Sequence, residues 1–281
     1  MKKILVIGVF LVLIITLVAF GIHPITEPLP DIKIGVYAGS GANASSVKAI
    51  ENSLGSFPEL CVERVQEHDV RQGGLRDCQV LIMPEGSAEE IRQTLGKDGC
   101  RNIEKFVAGG GGYMGIGGGA SLATLGWNED MKDIQLINAD IASASQNQAA
   151  ENSNSFDRIK CIALLKGGSH RVDFDIAFSR GPVFLRGANA YLPEYISLAQ
   201  FEKEDRGDCA GGGDAIIAAP FGLGRVLLFS PLPEQTPGLE TMLAQAVRWS
   251  AGMSEPQIKA LGPDFSWEGI FGISSLLPPS K

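Results

Sequence analysis

The sequence predicts an α/β fold in which a mainly parallel sheet lies between two layers of helices. Short apolar runs that are typical of buried strands alternate with amphipathic helical patterns from residue 32 to residue 250. A glycine-rich segment, residues 109–119, turns one strand sharply into the next helix. Alternation of this kind is typical of parallel strands joined by helical crossovers. The predicted fold is therefore a three-layer sandwich.

The first residues predict a membrane anchor. Met-Lys-Lys is followed by residues 4–22, a stretch without any charged residue. As a helix rising about 1.5 Å per residue, this stretch nearly spans a bilayer core of about 30 Å. We therefore expect a signal anchor and transmembrane helix over residues 1–23, with the lysines in the cytoplasm and the rest of a single-pass protein outside it. The alternative is cleavage after the small residues at 19–21, which would give a secreted protein.

The elements of the domain follow in order after a proline-rich linker at residues 24–31. Apolar runs predict strands at 32–37, 60–66, 78–83, 113–116, 159–165, 172–178, 196–201, 214–220 and 225–229. Helical periodicity predicts helices at 45–54, 91–95, 100–107, from 118 onward, and at 238–250. Strands 159–165 and 172–178 read as a hairpin. The predicted domain covers residues 32–253, and residues 254–281 form a tail in which apolar residues alternate with Gly and Pro breakers.

Charge and cysteine spacing exclude several classes of partner. The net charge of −8 argues against nucleic acid, which requires clustered Lys and Arg. The cysteines stand too far apart for a zinc site, so neither a metal nor a cofactor is predicted. They are Cys61, Cys78, Cys100, Cys161 and Cys209. Outside the cytoplasm some of them would pair, and the sequence leaves the pairing open.

The glycine-rich turn has the form of a nucleophile elbow without a nucleophile. Many α/β enzymes expose a catalytic side chain where a strand turns sharply into a helix, with backbone N–H groups facing the reacting atom. Strand 113–116 leads into such a turn, and the elbow position is Gly117. A glycine has no side chain that attacks a substrate.

Three motifs resemble those of the class I glutamine amidotransferase-like superfamily, in particular the amidotransferase-like domain named after the N-terminal region of biotin-protein ligases. The family elbow G-G-G-Y-x-G-x-C-x-G-A matches residues 110–120, with Gly117 in place of the cysteine. The family H-P-E, which supplies the histidine and glutamate of a Cys-His-Glu triad, matches Leu232-Pro233-Glu234. The P-G-G that helps to form the oxyanion hole appears as Pro84-Glu85-Gly86. The resemblance covers residues 32–252 and implies a flavodoxin-like sandwich.

The replaced triad residues predict a protein that binds rather than catalyses. Acyl transfer by a cysteine needs a thiolate and a base, and Gly117 and Leu232 stand where the family has them. Only Glu234 remains of the triad. We expect a pseudoenzyme that binds a small molecule or a membrane or envelope protein. Its site residues would be Glu85, Gly86, Gly117, Gly118 and Glu234, with one carboxylate held by the elbow N–H groups.

Two alternatives compete with this interpretation. One is a hydrolase or amidotransferase that uses a residue outside the family pattern, such as Ser121, which would point along the helix rather than into the elbow. The histidines, His23, His68 and His170, lie far in sequence from the lost triad position. The other is a nucleotide-binding domain, because residues 115–120 fit the pattern G-x-G-x-x-A. That pattern normally opens the first βαβ unit, whereas this copy follows three strands.

Overall fold

Eleven strands of one mixed sheet organise the computed structural model, which describes residues 31–126, 134–142, 157–164, 171–179, 181–202 and 213–253. The strands are β1 (Ile32–Tyr37), β2 (Leu60–Val65), β3 (Val80–Met83), β4 (Gly112–Ile116), β5 (Ala139–Ala142), β6 (Asp157–Leu164), β7 (Arg171–Phe178), β8 (Val183–Arg186), β9 (Ile196–Phe201), β10 (Asp214–Phe221) and β11 (Gly224–Phe229). The helices are α1 (Ala44–Leu54), α2 (Glu67–Arg71), α3 (Ala88–Ala108), α4 (Gly118–Ser121) and α5 (Glu240–Ser250).

Five strands form a parallel half in the order β2-β1-β3-β4-β11. Their side chains are mostly buried, as expected for strands covered on both faces: every residue of β3, β4 and β11 is buried. Helix α1 packs against α5, and α2 packs against α3. The carboxyl ends of β1, β3, β4 and β11 therefore meet at one edge of the sheet, which is where open α/β sheets hold ligands.

The remaining strands make the other half antiparallel. Strand β11 pairs with β10, and the order continues through β9 and β6 to β7, each neighbour running in the opposite direction. Strand β8 pairs with both β10 and β5. The predicted hairpin of β6 and β7 is confirmed, with Asp157 opposite Phe178.

The prediction of a mainly parallel, flavodoxin-like sheet is corrected by this arrangement. Within the described ranges from β5 to β11 the chain forms no helix that would carry it from one strand to a parallel neighbour. Successive strands are joined instead as antiparallel neighbours. The fold is a mixed α/β sheet.

The predicted transmembrane helix is corrected as well. No helix in the described ranges is both long and apolar enough to cross a membrane. An uncharged stretch shows only that a segment is apolar, whereas a span requires a helix of matching length. Residues 4–22 lie outside the described residues, as do the linker and the tail. We therefore withdraw the single-pass location outside the cytoplasm and the membrane as a partner.

Helix boundaries differ from the prediction at two places. The two helices predicted at 91–95 and 100–107 belong to α3, which is interrupted at Gly96 by a left-handed φ of 59°. The elbow helix α4 has only four residues, after which the chain continues in turns. The elbow is therefore followed by a single turn of helix, which leaves the site without a long helix behind it.

Candidate functional site

The elbow lies in the centre of the sheet, between β4 and α4. Gly117 adopts φ 53° and ψ −115°, a conformation that side-chain-bearing residues rarely take. Its backbone N–H donates to the carbonyl of Phe229 at 2.8 Å, which ties the end of β4 to the end of β11. The sharp turn predicted from the glycine pattern is thus formed.

Glycines at the elbow let three backbone segments approach closely. A Cβ on Gly118 would lie 1.9 Å from the carbonyl oxygen of Gly86, and one on Gly119 would lie 2.2 Å from that of Met83. A Cβ on Gly86 would lie 2.1 Å from the carbonyl oxygen of Gly41. The loop after β3 is therefore packed directly against the elbow, and the loop after β1 is packed against the loop after β3. Protein backbone fills the places where the glycines of a nucleotide-binding turn would admit a ligand.

The carboxylate of Glu85 occupies the position of the missing nucleophile. Its Oε2 accepts a hydrogen bond of 2.8 Å from the backbone N–H of Gly118. A Cβ on Gly117 would lie only 1.4 Å from the same oxygen. A side chain at residue 117 and the Glu85 carboxylate in this position exclude each other. The elbow N–H that would face an oxyanion is bound instead by an anion from the same chain.

A buried serine joins the loop of Glu85 to Glu234. Ser46, in the first turn of α1, donates from Oγ to Glu234 Oε1 at 2.7 Å. Ser46 Oγ in turn accepts a 3.3 Å hydrogen bond from the backbone N–H of Glu85. The five predicted site residues, which come from three distant parts of the chain, are thus brought together by the elbow and one hydroxyl group.

Glu234 is the most perturbed carboxyl group of the site. It lies in the short 3-10 helix Pro233–Gln235, is only 6% exposed, and its Oε2 has no hydrogen-bond partner among the described residues. Burial raises the pKa of Glu234 to about 8, against the opposing effect of the Ser46 hydrogen bond, and the negative charge of Glu85 raises it further. Glu234 is therefore mostly protonated at neutral pH.

Leu232, which the H-P-E resemblance aligns with the triad histidine, is a packed core residue. Its side chain is 1% exposed, and its backbone N–H donates to the carbonyl of Ala177 in β7 at 2.8 Å. Thr236 supports the same segment, because its hydroxyl accepts from the Ala177 N–H and donates to the Leu232 carbonyl, both at 2.9 Å. The position thus docks the segment after β11 onto β7 and carries no group that transfers a proton.

The alternative nucleophiles and bases do not join the site. Ser121 is buried, and its Oγ lies 3.5 Å from the carbonyl oxygen of Gly117, back along α4 as the sequence predicted. The exposed His68 pairs with its neighbour Asp69 at 3.1 Å. His23, His170 and Cys209 lie outside the described residues. Cys61 and Cys78 carry free thiols in or beside strands, and burial raises the pKa of the Cys78 thiol.

Ser46 is the site residue that sequence reasoning missed. The N-cap of α1 is Asn43, whose side chain accepts from the Ser45 N–H at 2.9 Å. This frees Ser46 to point inward. Its contact with Glu234 joins residues that are 188 positions apart, and no local sequence pattern predicts such a contact. Among the described residues no cluster of ligating side chains suits a metal ion.

Comparisons with known proteins agree with the elbow motif. Residues 32–136 match the family model described as biotin-protein ligase, N terminal. None of the curated proteins matches the chain. Leu232 and Glu234 lie beyond the matched residues, so their correspondence with the triad rests on the H-P-E resemblance alone.

Solved structures are similar to this chain at low identity and with TM-scores below 0.5. A putative ThuA-like protein from Bacteroides uniformis is 10% identical, with 81% of this chain and 94% of that chain covered and a TM-score of 0.49. One from Parabacteroides merdae is 12% identical, with coverages of 79% and 90% and a TM-score of 0.47. A β-galactosidase from Bacillus circulans sp. alkalophilus is 13% identical over 79% of this chain, with a TM-score of 0.47, and the chain spans only 31% of its length.

The family model includes the strand, the turn and the glycines that form the elbow, as well as Glu85 and Gly86. These are the features from which the sequence motifs predicted the family. Residues 32–136 are therefore similar to the biotin-protein ligase N-terminal domain, the family whose model they match.

Proposed function

We propose that this chain is a non-catalytic amidotransferase-like domain that acts by binding. The observation that carries the proposal is the Glu85 carboxylate, which is bound to the Gly118 N–H in the space that a side chain at residue 117 would need. Catalysis at an elbow requires its donors to be available for the oxyanion of the substrate. Here a carboxylate already occupies the Gly118 donor.

The chemistry of the remaining positions supports the same proposal. Gly117 provides no nucleophile, and the buried Leu232 provides no base. Glu234, which would orient a histidine, is instead hydrogen-bonded to Ser46. A group that has lost its proton-transfer partner and is mostly neutral at pH 7 does not support acyl transfer.

The ligand chemistry that fits the site is a cation or a hydrogen-bond donor. Glu85 offers a half-buried carboxylate, and Glu234 lies one serine hydroxyl away from the backbone of Glu85. A positively charged group would pair with the negative charge of Glu85, and a hydrogen-bond donor would bind the oxygens of either carboxyl group. We therefore propose a small molecule or a protein segment that presents such a group to Glu85.

Activity measurements test the absence of catalysis. The purified chain should hydrolyse no glutamine, and acyl probes directed at thiols or serines should label no elbow residue. Glutamine hydrolysis that is lost on Glu234→Ala or Ser121→Ala would refute the proposal.

A ligand screen tests the binding role. Thermal shift with biotin, glutamine, nucleotides and short basic peptides should identify a stabilising ligand. Its binding should be lost in the Glu85→Gln, Glu234→Gln double variant while the fold is retained. Glu89→Gln, which removes an exposed carboxylate of α3, is the matched control and should bind normally. A ligand that binds equally well to the double variant would contradict the assignment of the site.

A further inference from the structure

Two carboxyl groups of unequal burial lie close to the elbow. Glu234 is buried in the 3-10 helix after β11, with Oε1 bonded to Ser46 and Oε2 without a partner among the described residues. Glu85 is half-buried at the end of a loop, and its Oε2 is held by the Gly118 N–H. Any increase in repulsion between the two groups therefore moves Glu85 rather than Glu234.

Ser46 couples the two groups directly. Its only proton is donated to Glu234, and this orientation leaves a lone pair for the backbone N–H of Glu85. The charge on Glu234 is thus transmitted through space to the Glu85 carboxylate and through one hydroxyl group to the Glu85 backbone.

The other charged groups on the elements around Glu234 are exposed or engaged elsewhere. Glu85 is the group whose charge acts on Glu234. In α1, Lys48 is exposed and Glu51 pairs with Arg64. In α5, Arg248 pairs with Glu59, and Glu240 accepts from the Gly238 N–H. In β7, Asp173 and Asp175 are exposed.

We propose that Glu85 and Glu234 form a proton-dependent catch on the elbow. While Glu234 holds its proton, the Glu85 carboxylate stays on the Gly118 N–H and closes the space beside Gly117. When Glu234 releases its proton to water, its carboxylate becomes a second negative charge near Glu85. Repulsion then breaks the hydrogen bond between the Glu85 carboxylate and the Gly118 N–H, and the Glu85 side chain turns into solvent. The catch regulates the site of the proposed function and rests on that proposal for its biological role, whereas its opening and closing do not depend on any ligand.

Carbon-detected NMR tests the catch, because amide protons exchange rapidly with water above pH 8. The ¹⁵N shift of Gly118 and the side-chain carboxyl ¹³C shifts of Glu85 and Glu234 are followed from pH 6 to pH 9.5 in the intact chain. We expect the three signals to change with one common midpoint near the pKa of Glu234, about 8. A Gly118 signal that stays constant while Glu234 titrates would overturn the catch, and this measurement needs no variant.

Variants separate the cause from general alkaline effects. Glu234→Gln should abolish the change at Gly118 and leave Glu85 seated at every pH, whereas Glu89→Gln should leave the wild-type transition unchanged. The same transition in Glu234→Gln would refute the catch. Failure of the ligand screen would refute the binding role without affecting this titration, so the two proposals fail by different results.

Discussion

At the scale of single residues, the site differs from a catalytic elbow in that the Glu85 side chain occupies the space that a side chain at residue 117 would need. Gly117 lacks the Cβ that would overlap with Glu85, and Glu85 supplies a carboxylate to the backbone donor that the missing side chain leaves accessible. The absence of a Cβ at Gly117 thus leaves space for the Glu85 carboxylate, and that carboxylate satisfies the backbone N–H of Gly118. The family motif P-G-G has a glycine where this chain has Glu85, and the overlap predicts that residues 85 and 117 are energetically coupled.

Gly117→Ala tests this coupling through stability. The alanine meets both an unfavourable positive φ and the Glu85 carboxylate, so we expect a loss of about 2 kcal/mol in the free energy of unfolding. Gly238→Ala is the matched control, because Gly238 has φ 92° and no atom within 4 Å of its Cβ position. Urea denaturation should show a smaller loss there, of about 1 kcal/mol. Adding Glu85→Gly should bring the Gly117→Ala loss down to that of the control, and equal losses without it would contradict the coupling.

Glu234 predicts a distinctive pH dependence of stability. Its pKa is 4.5 in the unfolded chain and about 8 in the folded one, so the folded state retains a proton that the unfolded state has lost. Stability should therefore decline as pH rises from about 4.5 to 8, by roughly 1 kcal/mol per pH unit, and stay level above it. Glu234→Gln removes this slope. Chemical denaturation at pH 5, 6.5 and 8 measures it, and parallel curves for the variant and the wild type would show that Glu234 is ionised in the fold.

At the scale of elements, α1 is the platform that presents Ser46. Asn43 fixes the start of the helix by accepting from both the N–H and the hydroxyl of Ser45. The backbone of Asn43 also donates to the Glu85 carbonyl at 2.8 Å, which ties this helix start to the loop after β3. The position of Ser46 therefore depends on a cap three residues before it.

Asn43→Ala tests the cap. Loss of the side-chain acceptor should lower the free energy of unfolding by about 1 kcal/mol. Ser87→Ala is the matched control, because Ser87 caps α3 by accepting from the Glu90 N–H, and its loss should be similar. The two variants should differ in the Glu234 titration, which should shift only in Asn43→Ala. Identical titrations would show that α1 does not need this cap to hold Ser46.

The elements also show how far the sequence leads. The sequence predicts strands β1, β2, β4, β9 and β11 nearly to their ends, because each is a short run rich in apolar residues with turn residues on both sides. The short β5 and β8 were not predicted, and their pairing is a matter of tertiary contact. The glycine pattern predicted the elbow and the loop residues beside it. The buried state of Glu234 follows from packing that is absent from the sequence.

At the scale of the whole molecule, a buried ion pair joins helix α5 to the start of strand β2. Arg248 of α5 donates from Nε to Glu59 Oε1 at 2.9 Å. Glu59 lies just before β2, and the two residues are 189 positions apart in the sequence. The guanidinium also lies 5.0 Å from the ring centre of Phe57. Both charged side chains are nearly inaccessible to water, at 4% and 10% exposed. Such a pair is costly to break on one side only.

Glu59→Ala should therefore lower the free energy of unfolding by about 3 kcal/mol, because it leaves the Arg248 charge buried and unpaired. The exposed pair of Arg64 and Glu51 provides the control: Glu51→Ala should cost less than about 1 kcal/mol. Urea titrations of the two variants measure the difference. Similar losses would indicate that water reaches Arg248 in the folded protein.

The position of β11 determines when this protein can finish folding during synthesis. The strand is synthesised after all the other described strands, yet it lies in the middle of the sheet, between β4 and β10. Until β11 emerges, β4 has an unpaired edge made of apolar residues. In the folded protein this edge pairs with β11, with Tyr113 opposite Val226. Unpaired edges of this kind associate readily with other chains. A nascent or truncated chain that ends before β11 should therefore bind chaperones and aggregate, while the completed chain has no such edge at β4.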